Sequence, residues 1–191
     1  MSPIQHVKDE IRVVGWDDAP SDRDSIKVPL VGAITRGRGR LEGVLQTSAT
    51  YDGVDATRAI AYETTESPHA KQLRVILLDG ITFAGLNVVD LPELSKQTKL
   101  PVLAVTKNEP NLDNLKRALQ KVALTDQRWK TVNKAGEVCR LEQKGNSGLW
   151  FQYQGMSEKI ARRVLDVTIQ HGSLPEPIRL AHLIATAMHA E

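Results

Sequence analysis

The apolar run of residues 74–78 (RVILL) constrains the fold of this chain more than any other feature. A strand with one solvent-exposed face alternates apolar and polar residues, whereas a strand covered on both faces is apolar throughout. Residues 102–106 (VLAVT) repeat this pattern, and between the two runs Asp90 and Glu93 have the spacing of a helix N-terminus. Strand, helix and strand in this order predict two buried parallel strands of an α/β fold.

The first fifty residues predict three antiparallel strands. Residues 12–16 (RVVGW) are a short apolar run, and residues 28–50 have the pattern of a hairpin around a glycine-bearing RGRGR turn. A helix that begins after Asp55 leads to the buried strands, and further helices end the chain. This is the order of the ribonuclease H-like fold: a mixed sheet, with a three-strand antiparallel meander plus parallel crossover strands, flanked by helices. We expect residues 1–191 to form one domain of this kind.

Two of the predicted strands end in an aspartate. Asp17 follows residues 12–16, and Asp79 follows residues 74–78. If these strands are parallel neighbours, both carboxylates emerge at the same edge of the sheet. Two such groups repel each other unless a divalent cation lies between them, and carboxylate oxygens suit Mg²⁺ or Mn²⁺, which cleave phosphodiesters by activating water. The alternative is that each acid caps a turn or a helix.

Composition excludes several classes of protein. The 191 residues are 41% hydrophobic and 25% charged, enough for the core of one domain. A net charge of +2 does not by itself indicate a nucleic-acid partner, although a pI near 8.7 permits a local basic face. Cys139 is the only cysteine, which excludes an internal disulfide and a cysteine-built zinc site. With no targeting segment and no membrane-spanning run, we expect a soluble cytoplasmic protein that binds no membrane.

Basic and aromatic residues offer possible contacts to nucleic acid. Arg36, Arg38 and Arg40 of the RGRGR turn could clamp phosphates, or could simply be solvated at a hairpin tip. Trp16 precedes the first acid and could stack on a base, although an aromatic residue that enters the core is the simpler interpretation.

The C-terminal region holds a histidine in a compact motif. Residues 174–182 (LPEPIRLAH) place two prolines before a helix predicted over residues 178–188. Arg179 and His182 lie one turn apart, so one face of that helix presents both. A lone histidine on such a helix is more often structural than catalytic.

Four segments together resemble endonuclease V, the metal-dependent nuclease that acts beside deaminated bases. They are GWD at 15–17, LDG at 78–80, LPVLAVTK at 100–107 and LPEPIRLAH at 174–182. The resemblance covers nearly the whole chain in the same order. The segments GWDDAP and LLDGITFAGLNVVD resemble most closely the mainly archaeal relatives called domain of unknown function 99.

The resemblance implies a role for four residues. Asp17 and Asp79 correspond to the metal-binding aspartates, Lys107 to the basic residue near the phosphate, and His182 to the active-site histidine. Residue 59, which corresponds to the catalytic glutamate, is alanine here. Asp55 one turn earlier is our expected third metal ligand, and Glu63 one turn later is the less favoured substitute.

Two further segments depart from endonuclease V. The residues after Gly80 are ITFAGLN, without the His-Pro-Arg of the nuclease, and residues 50–53 (TYDG) replace its Tyr-x-Pro wedge. Three functions therefore compete: a Mg²⁺- or Mn²⁺-dependent nuclease or phosphodiesterase acting on DNA or RNA, a nucleic-acid-binding protein that has lost catalysis, and a protein that handles a nucleotide or other small molecule in the same cleft. The sequence leaves the oligomeric state open.

Overall fold

The structure is a computed structural model that describes residues 4, 6–22, 24–143, 148–170 and 172–188. Its strands are β1 (Arg12–Asp18), β2 (Lys27–Arg36), β3 (Arg40–Thr50), β4 (Val75–Asp79), β5 (Thr82–Phe83), β6 (Asn87–Val88), β7 (Val102–Thr106), β8 (Cys139–Glu142) and β9 (Gly148–Gln154). Its helices are α1 (Ala56–Glu66), α2 (Leu91–Thr98), α3 (Leu112–Leu119), α4 (Thr125–Lys134), α5 (Glu158–Thr168) and α6 (Glu176–Ala187).

Seven strands form one mixed sheet in the order β3-β2-β1-β4-β7-β9-β8, and β5 pairs with β6 in a separate hairpin. β1, β2 and β3 are antiparallel neighbours, so the predicted meander is confirmed. β4 lies parallel to β1 on one side and to β7 on the other, as right-handed crossover connections allow. β9 then reverses direction against β7, and β8 against β9, which extends the sheet beyond the parallel strands.

Helices cover both faces of the sheet, which explains why β4 is apolar throughout. α1 and α2 pack on the face that carries Trp16, Ile76 and Leu78, whereas α5 and the start of α6 pack on the face that carries Leu77 and Leu103. Trp16 is fully buried, so it belongs to the core and is not available to stack on a base. None of the helices that the structure describes has the length and apolarity needed to cross a bilayer.

α6 begins two residues earlier than predicted and lies directly on β1. A Cβ atom added to Gly15 would lie 2.4 Å from the carbonyl carbon of Pro177 and 2.6 Å from the nitrogen of Ile178. Any side chain at position 15 would therefore push α6 off the sheet. Further along, Ala181 and Ala185 continue the close packing against β2.

Arg128 of α4 joins three loops through backbone carbonyls. Its guanidinium donates to the carbonyl oxygens of Asp52, Gly53, Leu86 and Ala123 at 2.5–2.8 Å. Arg128 is buried, and no carboxylate among the described residues forms a salt bridge with it, so these dipoles compensate its charge together with the longer-range attraction of the Asp52 carboxylate. The loops before α1, between β5 and β6, and before α4 are thereby held together.

Candidate metal centre

Asp17 and Asp79 lie at the carboxyl ends of adjacent parallel strands. Trp16 of β1 stands opposite Leu78 of β4, so the next residue of each strand is an aspartate. Because side chains alternate along a strand, Asp17 shares the face of Gly15 and Asp79 that of Leu77. Both carboxylates therefore point to the side of the sheet that α5 and α6 cover.

His182 completes this group from α6. Its Nδ1 lies 2.8 Å from Oδ2 of Asp17, and one ligand atom from each of Asp17, Asp79 and His182 lies within 4.8 Å of the other two. The close contact of α6 with Gly15 is what brings the imidazole to this position. When Asp17 is ionised, the Nδ1–H donates to it and Nε2 keeps its lone pair.

The negative charge of the two carboxylates is only partly compensated by their neighbours. Burial, followed by repulsion from Asp79, raises the pKa of Asp17 to about 6, although the hydrogen bond with His182 opposes this shift. Burial also raises the pKa of Asp79, against the attraction of His182 and Lys107. A divalent cation between the two carboxylates would supply the missing positive charge.

The three side chains fit a hard or borderline divalent cation. Two carboxylates are the usual protein ligands of Mg²⁺ and Mn²⁺, and an imidazole nitrogen adds a donor that the softer Mn²⁺ accepts more readily. Asp17 is buried, Asp79 is half-buried and His182 is exposed, so the group is open to solvent on one side. That side is available for water or a phosphate oxygen.

Lys107 leaves β7 at the same edge of the sheet. β7 is the parallel neighbour of β4, with Val105 opposite Asp79, and Lys107 follows the last residue of the strand. Its ammonium group is exposed and close enough to lower the pKa of Asp79. The structure therefore places Lys107 beside the carboxylates, facing solvent.

The structure does not bring Asp55 to the aspartate pair, which corrects the expected ligand set. Asp55 accepts hydrogen bonds from the backbone and hydroxyl of Thr50, from Lys27 and from Asn87. These contacts use both carboxylate oxygens and hold the start of α1 against β3. Asp55 is not part of the three-residue group, and neither is Glu63.

α1 begins directly after Asp55, as predicted, but the Asp55 side chain does not cap the helix. Asp55 occupies the N-cap position, but its side chain accepts no hydrogen bond from the helix. Asn87 of β6 takes over this role, because its Oδ1 accepts from the backbone N–H of Ala56. The missing third carboxylate is thus not supplied by either predicted substitute.

The arginine turn lies at the opposite end of the sheet from the aspartates. Arg36 stands opposite Arg12, whereas Asp17 stands opposite Val31. Five residues of β1 separate the two positions, which corresponds to roughly 17 Å. Arg36 also forms salt bridges with Glu10 and Glu42. Arg36, Arg38 and Arg40 are therefore not part of the candidate metal centre, and phosphates that they contact would lie far from it.

Asp18 is a residue of this region that the sequence analysis missed. It is half-buried on the opposite face of β1 from Asp17, and its Oδ2 accepts from the backbone N–H of Ala84. Burial raises the pKa of Asp18, and the hydrogen bond from Ala84 opposes the shift. Asp18 thereby ties β1 to the loop of the β5–β6 hairpin. The sequence signal that could have identified Asp18 is its place as the second acid of the GWDD segment.

Known proteins resemble this chain along almost its whole length. A "UPF0215 protein" from Methanothermobacter thermautotrophicus is 41% identical over 187 residues, which cover 97% of this chain and 91% of the relative. A crystal structure of a protein of unknown function from Archaeoglobus fulgidus superposes with a TM-score of 0.85 at 32% identity, covering 94% of this chain and 98% of that one.

A more distant structure shows the same fold. Endonuclease V from Ciona intestinalis, in complex with a 24mer DNA that contains an inosine followed by a ribo-adenosine, superposes with a TM-score of 0.59 at 12% identity, covering 90% of this chain and 83% of that one. The predicted ribonuclease H-like, endonuclease V-like fold is thus confirmed. The model of the family described as Endonuclease dU matches residues 9–189. The chain therefore belongs to the Endonuclease dU family.

Proposed function

We propose that this protein is a divalent-metal-dependent nuclease or phosphodiesterase that acts on nucleic acid. The observation that carries the proposal is the group formed by Asp17, Asp79 and His182, whose ligand atoms lie within 4.8 Å of one another at one edge of the sheet. The shared fold with an endonuclease V that binds DNA supports a nucleic-acid substrate. The family name makes deoxyuridine-containing DNA the first substrate to test.

Each residue of the site has a distinct part in this proposal. Asp17 and Asp79 hold the cation, Mg²⁺ or Mn²⁺, with His182 beside them. When bound, the cation lowers the pKa of a water molecule and stabilises the charge that develops on the phosphate. Lys107, whose side chain faces solvent, contacts a non-bridging oxygen of the phosphate. His182 is oriented through Nδ1 by Asp17, which leaves Nε2 free to accept or give a proton.

Cleavage assays with matched variants test the proposal. Single-stranded DNA, duplex DNA and RNA, each unmodified or with deoxyuridine or inosine, are incubated with the protein in Mg²⁺, Mn²⁺ or EDTA. We expect cleavage that needs the metal and falls at least 100-fold in Asp79→Asn and His182→Ala. Glu63→Gln on α1 serves as the matched acidic control and should cleave normally. Cleavage that persists in Asp79→Asn would refute the metal site.

One observation favours a second candidate function, a binding protein that has lost catalysis. Ala59 occupies the position of the catalytic glutamate, and the carboxylate of Asp55 is fully used by Thr50, Lys27 and Asn87. Salt-dependent binding of nucleic acid with no cleavage in any metal would support this candidate. For either function, a cytoplasmic location rests on the composition alone.

A further inference from the structure

Trp150 and Arg140 form a second feature at the edge of the sheet that carries Asp79. β9 pairs with β7 so that Trp150 stands opposite Thr106, the residue before Lys107. Arg140 of β8 stands opposite Trp150 in turn. The strand of Trp150 lies two strand spacings from that of Asp79, or roughly 10 Å. Paired residues share a face of the sheet, so Trp150 and Arg140 lie on the face of Thr106, opposite to the face that Asp79 shares with Val105 and Phe151. The pair therefore lies near the candidate metal centre along the edge, but on the other face of the sheet.

The ring of Trp150 is only partly covered. The guanidinium of Arg140 lies 5.4 Å from the centroid of the ring, in a cation–π contact. Trp150 is half-buried and lines two recesses between β9 and the start of α3, of about 210 and 610 Å³. Among the described residues, the part of the ring that Arg140 does not contact borders these recesses.

The smaller recess lies next to the edge of the sheet that carries the candidate metal centre. It is lined by Gly80, which follows Asp79, by Thr106, which precedes Lys107, and by the apolar side chains of Leu112 and Leu115. A strand that leaves Asp79 and crosses the edge of the sheet over Gly80 therefore enters the recess that the indole of Trp150 lines.

The charges around the larger recess favour a base over a phosphate. Glu109 and Glu137 line it together with Arg140. Two exposed carboxylates repel a phosphate, but a nucleobase is uncharged and stacks on an aromatic ring whatever its sequence. A base on the free side of Trp150 would complete a stack with Arg140 on the other side.

We propose that Trp150, backed by Arg140, is a stacking platform for an unpaired base of a nucleic-acid strand that crosses the sheet edge from the aspartates. This inference rests on the proposed function, since it assumes a nucleic-acid ligand, and it deepens that function by naming a single-stranded segment as the substrate class. A base within a duplex is already stacked on both sides and cannot occupy the platform. Duplex substrates must open locally to reach it.

Binding measurements in EDTA test the platform without cleavage. In a Trp129→Phe background the remaining tryptophans are Trp150 and the buried Trp16, so a single-stranded oligonucleotide should quench the emission of Trp150. A duplex of the same sequence should quench it far less. Trp150→Ala should weaken binding of the single strand roughly 5- to 100-fold, from the usual value of one stacked base.

Two variants serve as controls. Trp150→Phe keeps an aromatic ring and should restore most of the affinity, which a lost packing contact alone would not explain. Trp129→Ala removes another half-buried tryptophan, which has its own cation–π contact with Lys116, and should bind within about twofold of the unmodified protein. Circular dichroism on each variant checks the fold.

The outcomes separate this inference from the proposed function. Equal affinity of Trp150→Ala and the unmodified protein, equal losses in both tryptophan variants, or no binding of single strands would overturn the platform. Binding through Trp150 with no cleavage in any metal would overturn the nuclease and leave the platform in place. Cleavage that Trp150→Ala leaves intact, with unchanged affinity, would overturn the platform alone.

Discussion

Gly15 of β1 lies against the backbone of Pro177 so closely that a Cβ atom at position 15 would come within 2.4 Å of the Pro177 carbonyl carbon. This contact sets the distance between α6 and the sheet, and therefore the position of His182 over Asp17. The GWD segment thus has two separate roles: the glycine admits the helix and the aspartate meets the histidine that the helix carries.

Gly15→Ala is expected to displace α6. Overpacking of this kind costs about 1–3 kcal/mol, and the shift moves His182 away from Asp17, so both stability and Mn²⁺ affinity should fall. Urea unfolding and Mn²⁺ titration measure the two effects. Gly43→Ala in β3 is the control, because its Cβ would meet the end of the His69 side chain, which can move. Unchanged Mn²⁺ affinity in Gly15→Ala would show that α6 does not position the site.

Asp79→Asn is expected to remove metal binding while keeping the fold. The variant loses one of the two carboxylates, and it also removes the repulsion that raises the pKa of Asp17. We expect Mn²⁺ affinity at least tenfold lower in calorimetric titrations, with thermal stability in EDTA equal or higher. An unchanged Mn²⁺ affinity of Asp79→Asn would show that the cation binds at another site. Glu63→Gln tests whether the loss of an acid outside the three-residue group has the same effect.

The stability of the metal-free protein should depend on pH through Asp17. Its pKa in the folded protein is about 6, against 3.8 for the ordinary group. Protonation therefore favours the folded state: the contribution is fully present below pH ~4 and is lost as pH rises through 6. Asp17→Asn should be more stable than the unmodified protein by roughly 2–3 kcal/mol at pH 7.5, by roughly 1 kcal/mol at pH 4.5, and by little at about pH 3.

Denaturant unfolding in EDTA at several pH values measures this difference. A difference in unfolding free energy that does not change with pH would contradict the raised pKa of Asp17.

The raised pKa of Asp17 also predicts that protons compete with the metal ion for its carboxylate. Mn²⁺ affinity of the unmodified protein should decrease as pH falls through 6, because the cation needs the ionised carboxylate.

Asp55→Asn is expected to destabilise the protein and leave metal binding unchanged. Burial alone would raise the pKa of Asp55, but hydrogen bonds from Thr50, Lys27 and Asn87 outweigh it and hold the pKa well below its usual range. The stability from these bonds is present above about pH 4 and is lost as pH falls further. We expect a loss of about 1–3 kcal/mol at pH 7. A large drop in Mn²⁺ affinity would instead return Asp55 to the ligand set.

Arg128→Met should be among the most destabilising single changes outside the apolar core. It leaves the carbonyls of Asp52, Gly53, Leu86 and Ala123 without their donor, which we expect to cost roughly 3 kcal/mol or more. Lys130→Met on the exposed side of α4 is the control. Hydrogen exchange should be faster in all three loops of Arg128→Met, and an effect confined to α4 would contradict the role of Arg128 as a link between them.

The sequence predicted those parts of the molecule that depend on local pattern. The apolar run before Asp79 indicated a strand with two covered faces, and the order of elements then placed Asp17 beside it, because parallel neighbours end at one edge. The orientation of His182 could not be predicted from the local pattern alone. Its helix was predictable, but only the resemblance of LPEPIRLAH to a known motif indicated which way the histidine points.

Contacts between distant segments were beyond the sequence analysis. Asp55 was expected near Asp79 from its place on α1, but its neighbours Thr50 and Asn87 belong to two strands whose approach no local pattern encodes. The arginine turn was identified as a hairpin, yet its distance from the aspartates follows from the length and direction of β2. Arg128 gave no signal at all, since its partners are backbone carbonyls.

The bond between Asp17 and His182 joins residues 165 positions apart, from the first strand and the last helix. A chain that is still being synthesised can pair β1 with β4, and so bring the two aspartates together, long before α6 has emerged from the ribosome. The imidazole of His182 arrives only after α6 has also been made. The candidate centre is therefore completed in a second step, and a chain truncated before α6 would keep both carboxylates without the histidine that bonds to Asp17.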